Sequence, residues 1–139
     1  MKFGHLAIRI KDLARTLDFY CNKLDLKEAF RIFNDDGSVR IVYLHISNRQ
    51  YLELCLGGQE SLTRDDKKNL GVRHICFIVD DLEETKEKLG AKDVVFDSEI
   101  LSLRDNNLVC YLSDPEGNKI ELMQIQPGSP HSKFERDLE

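Results

Sequence analysis

His5-Leu-Ala-Ile-Arg-Ile-Lys-Asp12-Leu13 and His74-Ile-Cys-Phe-Ile-Val-Asp-Asp81-Leu82 carry one pattern twice: a histidine, an alternating apolar run, an aspartate and a leucine. A repeat of this kind decides the fold, because each copy is one unit that cannot bury its apolar face alone. Side chains on a strand alternate between two faces. Leu6, Ile8 and Ile10 therefore share one face of the first strand, with His5, Ala7 and Arg9 on the other. Ile75, Phe77 and Val79 share a face of the second, opposite His74, Cys76 and Asp80. The apolar faces are expected to pack on helices, which puts both histidines on the far side of their sheets.

Asp12 and Asp81 are well suited to cap helices, since a carboxylate at that position accepts from the free N–H groups of the first turn. Helical runs are predicted to about residue 24 and about residue 89, with Gly90 suited to the stop of the second. Asp81 and Glu84 have the spacing of a capping box. Strands follow each helix, predicted over 26–33, 39–47 and 50–56 in the first half and over 94–100, 108–113 and 119–126 in the second. Turns are expected at Asp35-Asp36-Gly37 and at Asp114-Pro115-Glu116-Gly117, the latter with proline at its favoured second position. The fold class is α+β, two βαβββ modules. The modules span 1–57 and 71–126 of a single domain over 1–126. A polar linker (58–70) joins them, with Glu60, Asp65 and Asp66 at its surface, and a charged tail (127–139) follows, mobile or a short appended helix.

Composition sets the outer limits. The 139 residues are 41% hydrophobic and 32% charged, as in an ordinary globular domain, with a net charge of −5. That charge, with no basic run longer than Lys67-Lys68, argues against nucleic acid as a partner. The opening MKFGHLAIRIKD lacks the apolar core of a signal peptide, and no apolar stretch has the length of a membrane span. Cys21, Cys55, Cys76 and Cys110 form no C-x-x-C pair and sit in apolar runs, where they read as buried reduced thiols. A cytoplasmic protein is expected.

The last strand of each half holds a glutamate among leucines: Tyr51-Leu-Glu53-Leu-Cys and Lys119-Ile-Glu121-Leu-Met. Alternation turns Glu53 and Glu121 away from the helix-packing face, onto the side of the histidines. Glu53 follows His5 by 48 residues and Glu121 follows His74 by 47. Singly, such a histidine reads as structural and such a glutamate as solvent-facing. Recurring together at matched spacing, His5, Glu53, His74 and Glu121 read as metal ligands. Two imidazoles and two carboxylates suit a borderline or hard divalent ion, and their charge with a dication sums to about zero, which makes burial tolerable.

On HLAIRIKDL with DFY, on GVRHICFIVDDL and on YLSDPEGNKIEL, the chain resembles the vicinal oxygen chelate superfamily, and within it the glyoxalase I (lactoylglutathione lyase) group, over nearly its whole length. The resemblance implies the glyoxalase/bleomycin resistance/dioxygenase-like fold, with curved mixed sheets forming a metal-containing cleft. It assigns His5, Glu53, His74 and Glu121 to the four ligand positions. It also implies a reaction: the hemithioacetal of a 2-oxoaldehyde such as methylglyoxal becomes a 2-hydroxyacyl thioester by proton transfer through an enediolate. Glu121 would remove the C1 proton and Glu53 would take part in returning one at C2. A carboxylate at Glu53, rather than the glutamine usual in the similar CoA-ester epimerases, favours this chemistry.

Arg9 matches the arginine that holds the glutathione γ-glutamyl carboxylate, its other reading being a surface arginine on a strand. Arg104 is a candidate for holding an anionic substrate, or a plain loop arginine. Gly57 stands where glutathione enzymes carry asparagine and Leu70 where they carry arginine, so the thiol stays open. The resemblance further implies one divalent metal per site, with Ni²⁺ or Co²⁺ favoured over Zn²⁺, Mn²⁺ or Fe²⁺, a small-molecule substrate and a homodimer. The alternatives are another metal-dependent proton-transfer enzyme, such as an epimerase, and a non-catalytic binding protein of the bleomycin-resistance type. His45 reads as structural, on a face with Ile41, Tyr43 and Ser47, and His131 as a solvated tail residue.

Overall fold

The structure, a computed structural model, describes residues 1–59 and 70–138. Most of the expected linker, including Glu60, Asp65 and Asp66, lies outside the described residues. The chain divides into two compact units, Met1–Thr63 and Arg64–Glu139.

Unit 1 holds strands β1 (His5–Arg9), β2 (Lys27–Phe33), β3 (Val39–Ser47) and β4 (Gln50–Cys55) in one sheet of order β1-β4-β3-β2. Unit 2 repeats it with β5 (Ile75–Ile78), β6 (Leu101–Ser102), β7 (Leu108–Ser113) and β8 (Lys119–Gln124), in the order β5-β8-β7-β6. In both sheets the first and last strands pair in parallel, and the remaining pairs are antiparallel. A parallel pair requires a crossover between its strands. Helices α1 (Leu13–Leu17) and α2 (Leu82–Gly90) open those crossovers.

The caps work as their chemistry dictates. The Asp12 carboxylate accepts from Arg15 N at 3.0 Å, and the Asp81 carboxylate accepts from Glu84 N at 2.8 Å. Glu84 itself pairs with Lys88 one turn on, at 2.5 Å, between two exposed side chains. The first helix departs from the regular run expected to residue 24: after α1 the backbone widens into a π-helical segment, Asp18–Lys23, and Leu24 N donates to Phe19 O. Thr16 Oγ1 bonds back to Asp12 O at 2.7 Å, the local competition that loosens a regular ladder. The widened turn buries the adjacent Phe19 and Tyr20 together.

Alternation then decides the cores. Val42, Leu44, Leu52 and Leu54 are fully buried in unit 1 with Ile10 and Tyr20, and Leu112 and Ile120 in unit 2 with Leu82. Each such side chain stabilises the fold by about 1.5–3 kcal/mol through burial. The hairpins are closed by one device in two chemistries. Asn34 N donates to Ser38 O at 2.8 Å with Gly37 at φ +82°, and Leu103 N donates to Asn107 O at 3.0 Å with Asn106 at φ +65°. Both are residue types that tolerate the left-handed region.

One strand was misplaced by the sequence pattern. The run expected over 94–100 is reduced to a single bridge between Phe96 and Leu112, and regular pairing starts only at Leu101. Side chains take over the ladder there. Tyr111 N donates to Ser98 Oγ at 3.1 Å, Ser98 Oγ donates to Glu99 O at 2.8 Å, and Ser113 Oγ donates to Asp97 Oδ2 at 2.7 Å. Short polar side chains that bond to nearby backbone compete with strand pairing.

The tail forms α3 (Pro130–Arg136), capped by the buried Ser129. His131 is exposed but not simply solvated. Its Nδ1 lies 2.8 Å from Asn107 Nδ2 and 3.5 Å from Asp105 Oδ2. Asn107 is fully buried, and a buried amide needs partners for its N–H groups. Among the described residues, no helix is long and apolar enough to cross a membrane.

Candidate functional site

The parallel pairing puts each glutamate beside the strand that carries its histidine. Glu53 is opposite Ala7 and Glu121 is opposite Cys76, so each histidine stands two residues before its glutamate's partner, on the same face. His5 Nε2 lies 3.2 Å from Glu53 Oε2, and His74 Nε2 lies 3.4 Å from Glu121 Oε2. The two units thus carry one pair in one register. Among the described residues, neither unit gathers a third His, Cys, Asp or Glu into a metal-binding group with its pair.

Both glutamates are nearly buried, Glu53 at 8% exposure and Glu121 at 7%, while the histidine side chains are 50% and 35% exposed. A carboxylate so far out of water needs hydrogen-bond donors or a cation. Two of those donors are tyrosines not anticipated from the sequence. Tyr43 is opposite Glu53 and Tyr111 is opposite Glu121 on the neighbouring antiparallel strand. The Tyr43 hydroxyl donates to Glu53 Oε1 at 2.5 Å, and this bond, with burial second, raises the Tyr43 pKa above the usual range. Tyr111 is pushed up to about 12, first by burial and then by its hydrogen bond to Glu121. Each ring meets its histidine edge-on, with centroids 6.2 Å apart for His5–Tyr43 and 6.3 Å for His74–Tyr111. A signal was present: both tyrosines precede their glutamates by ten residues, each followed by leucine.

The repeat is broken at three places. Ala7 in unit 1 corresponds to Cys76 in unit 2, whose Sγ lies 3.6 Å from Glu121 Oε1. Lost hydration and then the charge of Glu121 push that thiol up to about 12, so it is held as S–H. The cysteines also differ from the expectation of four buried thiols. Only Cys110 is buried, Cys21 and Cys55 are intermediate, and Cys76 is exposed because alternation turns it to the histidine face. Second, unit 1 builds an aromatic cluster around Tyr43. Phe30 stacks on Tyr43 at 4.4 Å between centroids, and Tyr51 meets Tyr43, Phe30 and His45 edge-on. His45 is exposed against Tyr51. Third, Tyr111 has Ser98 at its backbone where Tyr43 has Phe30 opposite.

The two arginines singled out from sequence lie in different units. Arg9 shares the His5 face of β1, and its Nη1 donates to Leu56 O at 2.8 Å. Gly58 lies close by: a Cβ there would meet Ile10 O at 3.0 Å and the Arg9 side chain at 3.3 Å. Arg104 is exposed in the turn between β6 and β7. Gly57, where glutathione enzymes were expected to carry asparagine, takes φ +97°, a conformation that favours glycine.

Imidazole nitrogen beside carboxylate oxygen is a donor set for a divalent cation, and the tyrosine bonds leave Oε2 of Glu53 free to face His5. Each unit therefore supplies two donors of the kind a divalent ion takes. The profile of the Glyoxalase/Bleomycin resistance protein/Dioxygenase superfamily matches residues 2–122. The chain is 30% identical over 128 residues to the uncharacterized protein YwbC of Bacillus subtilis, covering 88% of this chain and 97% of that one. It is 25% identical over 145 residues to a lactoylglutathione lyase of Pseudomonas aeruginosa, covering 88% and 81%. Among solved structures, a glyoxalase family protein from Enterococcus faecalis superposes with a TM-score of 0.76 at 22% identity, covering 88% of this chain and 96% of that one.

Proposed function

The chain belongs to the Glyoxalase/Bleomycin resistance protein/Dioxygenase superfamily, and from that premise we propose that it is a metal-dependent lyase of glyoxalase I type. It converts the hemithioacetal of a 2-oxoaldehyde, such as methylglyoxal, and a thiol into a 2-hydroxyacyl thioester. The observation that carries this reading is the pair repeated in register, His5 with Glu53 and His74 with Glu121, each carboxylate nearly buried with one oxygen turned to its imidazole.

In this reading the two pairs together hold one divalent ion, within one chain or across a homodimer, with Ni²⁺ or Co²⁺ favoured. When bound, the ion supplies Lewis acidity that stabilises negative charge developing on the substrate's two oxygens. Glu121 removes the proton at C1 and Glu53 delivers a proton to C2, so atoms and electrons balance within the substrate. Arg9 and Arg104 are the cations offered to an anionic part of the substrate. Gly57, in place of asparagine, leaves the thiol unassigned. Four free cysteines suit a reducing, cytoplasmic setting.

The deciding experiment is isomerisation of the methylglyoxal–glutathione hemithioacetal by apo-protein reloaded separately with Ni²⁺, Co²⁺, Mn²⁺ and Zn²⁺. Turnover with at least one metal and none in the apo form is expected. Metal binding without turnover, on this substrate or on hemithioacetals of other thiols, would refute the glyoxalase reading and leave an epimerase-type reaction on CoA esters as the next assay.

A further inference from the structure

Nothing assigns a role to Tyr43 or Tyr111, yet they occupy one place in both units. Each lies opposite the glutamate across an antiparallel pair, hydrogen-bonded to it, and edge-on to the histidine. A solitary half-buried tyrosine finds its partner where it can, so the same three-residue arrangement built twice implies a shared requirement. A nearly buried carboxylate has two equivalent oxygens and a torsion that is broad and two-fold. Without an outside hold it can swing between using one oxygen or both toward a cation. In unit 1 that freedom is removed: Oε1 is taken by the Tyr43 hydroxyl at 2.5 Å, and Oε2 is left 3.2 Å from His5 Nε2. In unit 2, Oε2 of Glu121 faces His74 at 3.4 Å, while Oε1 lies against Cys76.

We propose that Tyr43 and Tyr111 are positioning residues for the two carboxylate ligands, each tying its glutamate so that a single oxygen is presented beside the histidine to a divalent cation. This rests on the metal-site reading above. It goes further by naming the residues that set coordination geometry and by separating their backing. Tyr43 is held by its stack on Phe30, whereas Glu121 has a thiol beside its other oxygen. In this role the hydroxyls act through the glutamates, by the bonds they make to them. Partners that orient ligating groups typically change metal affinity by about 10- to 100-fold when removed.

The test is titration of apo-protein with Co²⁺, read by calorimetry and by the visible absorption of the bound ion, for the wild type, Tyr43→Phe, Tyr111→Phe, Tyr51→Phe and His5→Ala. Co²⁺ absorption reports coordination geometry directly. The two positioning variants are expected to bind about 10-fold or more weakly than wild type, with a shifted spectrum. Tyr51→Phe, in the same aromatic cluster but bonded to no carboxylate among the described residues, should match wild type. Melting of each apo-protein separates a structural effect: a role confined to packing would lower Tm and leave affinity and spectrum unchanged, and that result overturns the proposal. If wild type binds Co²⁺, His5→Ala abolishes binding and Tyr43→Phe binds like wild type, the metal site stands and the positioning role falls. If wild type binds no Co²⁺, both fall.

Discussion

Replacing Glu121 by glutamine tests the chemistry while sparing the fold. The amide is nearly isosteric, and its oxygen can still accept from Tyr111 and lie against Cys76. Its NH₂ group then faces His74 Nε2, 3.4 Å away, where a neutral imidazole can accept. No buried group is stranded, so stability should change by less than ~1 kcal/mol. What disappears is the negative charge and the basic oxygen. A positioned general base typically contributes about 10²–10⁴-fold in rate, or ~2.7–5.5 kcal/mol of barrier. Glu121→Gln, assayed with saturating metal against the methylglyoxal–glutathione hemithioacetal, should therefore lose about 10²-fold or more in kcat. In the proposed site metal affinity should weaken without being lost, because its other three donors, His5, Glu53 and His74, remain. Circular dichroism and Tm establish that the variant is folded, and calorimetry establishes that it is loaded. A folded, loaded Glu121→Gln enzyme retaining more than about a tenth of wild-type kcat would refute Glu121 as the base.

Three further outcomes follow from the geometry. Cys76 is exposed yet pushed up to about 12, so at about pH 8 its thiolate fraction is on the order of 10³-fold below that of an ordinary thiol. Higher intrinsic nucleophilicity recovers part of this, and alkylation followed by peptide mass mapping should find Cys76 about 10²-fold slower than a free cysteine; modification at the ordinary rate contradicts the assignment. Tyr111 keeps its proton to about 12 when folded, whereas an unfolded tyrosine loses it near pH 10. Its stabilising contribution is therefore complete below about pH 10 and declines as pH rises toward about 12, and denaturation at stepped alkaline pH should show a fall that Tyr111→Phe reduces. Asn107, fully buried, accepts from Gln126 N at 3.0 Å and reaches Asp105 and His131 through Nδ2. Asn107→Ala should cost about 1–3 kcal/mol in urea denaturation and expose α3 to protease, and an unchanged midpoint would contradict that anchoring role.

The repeat was legible because a period of two is written directly into composition. His5 and His74, then Glu53 and Glu121, interrupt apolar runs at positions whose parity alone assigns a face. Capping aspartates were legible for the same local reason, since Asp12 and Asp81 satisfy N–H groups only three residues away. Tyr43 was read only as a neighbour of His45 on a strand face. Its bond to Glu53 crosses a strand pair, and the cross-strand partner depends on register. The strand expected over 94–100 failed because Ser98 and Asp97 met partners on β7 that no local pattern names. Thus, apart from that strand and the widened turn after α1, strand, turn and cap, and the face each strand residue takes, were legible in the sequence, because they depend on interactions within a few residues. The exchange of Cys76 for Ala7 beside a carboxylate, the tyrosine behind each glutamate and the anchoring of His131 were decided by the tertiary structure. These couple residues 10 to 45 positions apart, and only strand register and helix docking bring such residues within bonding distance.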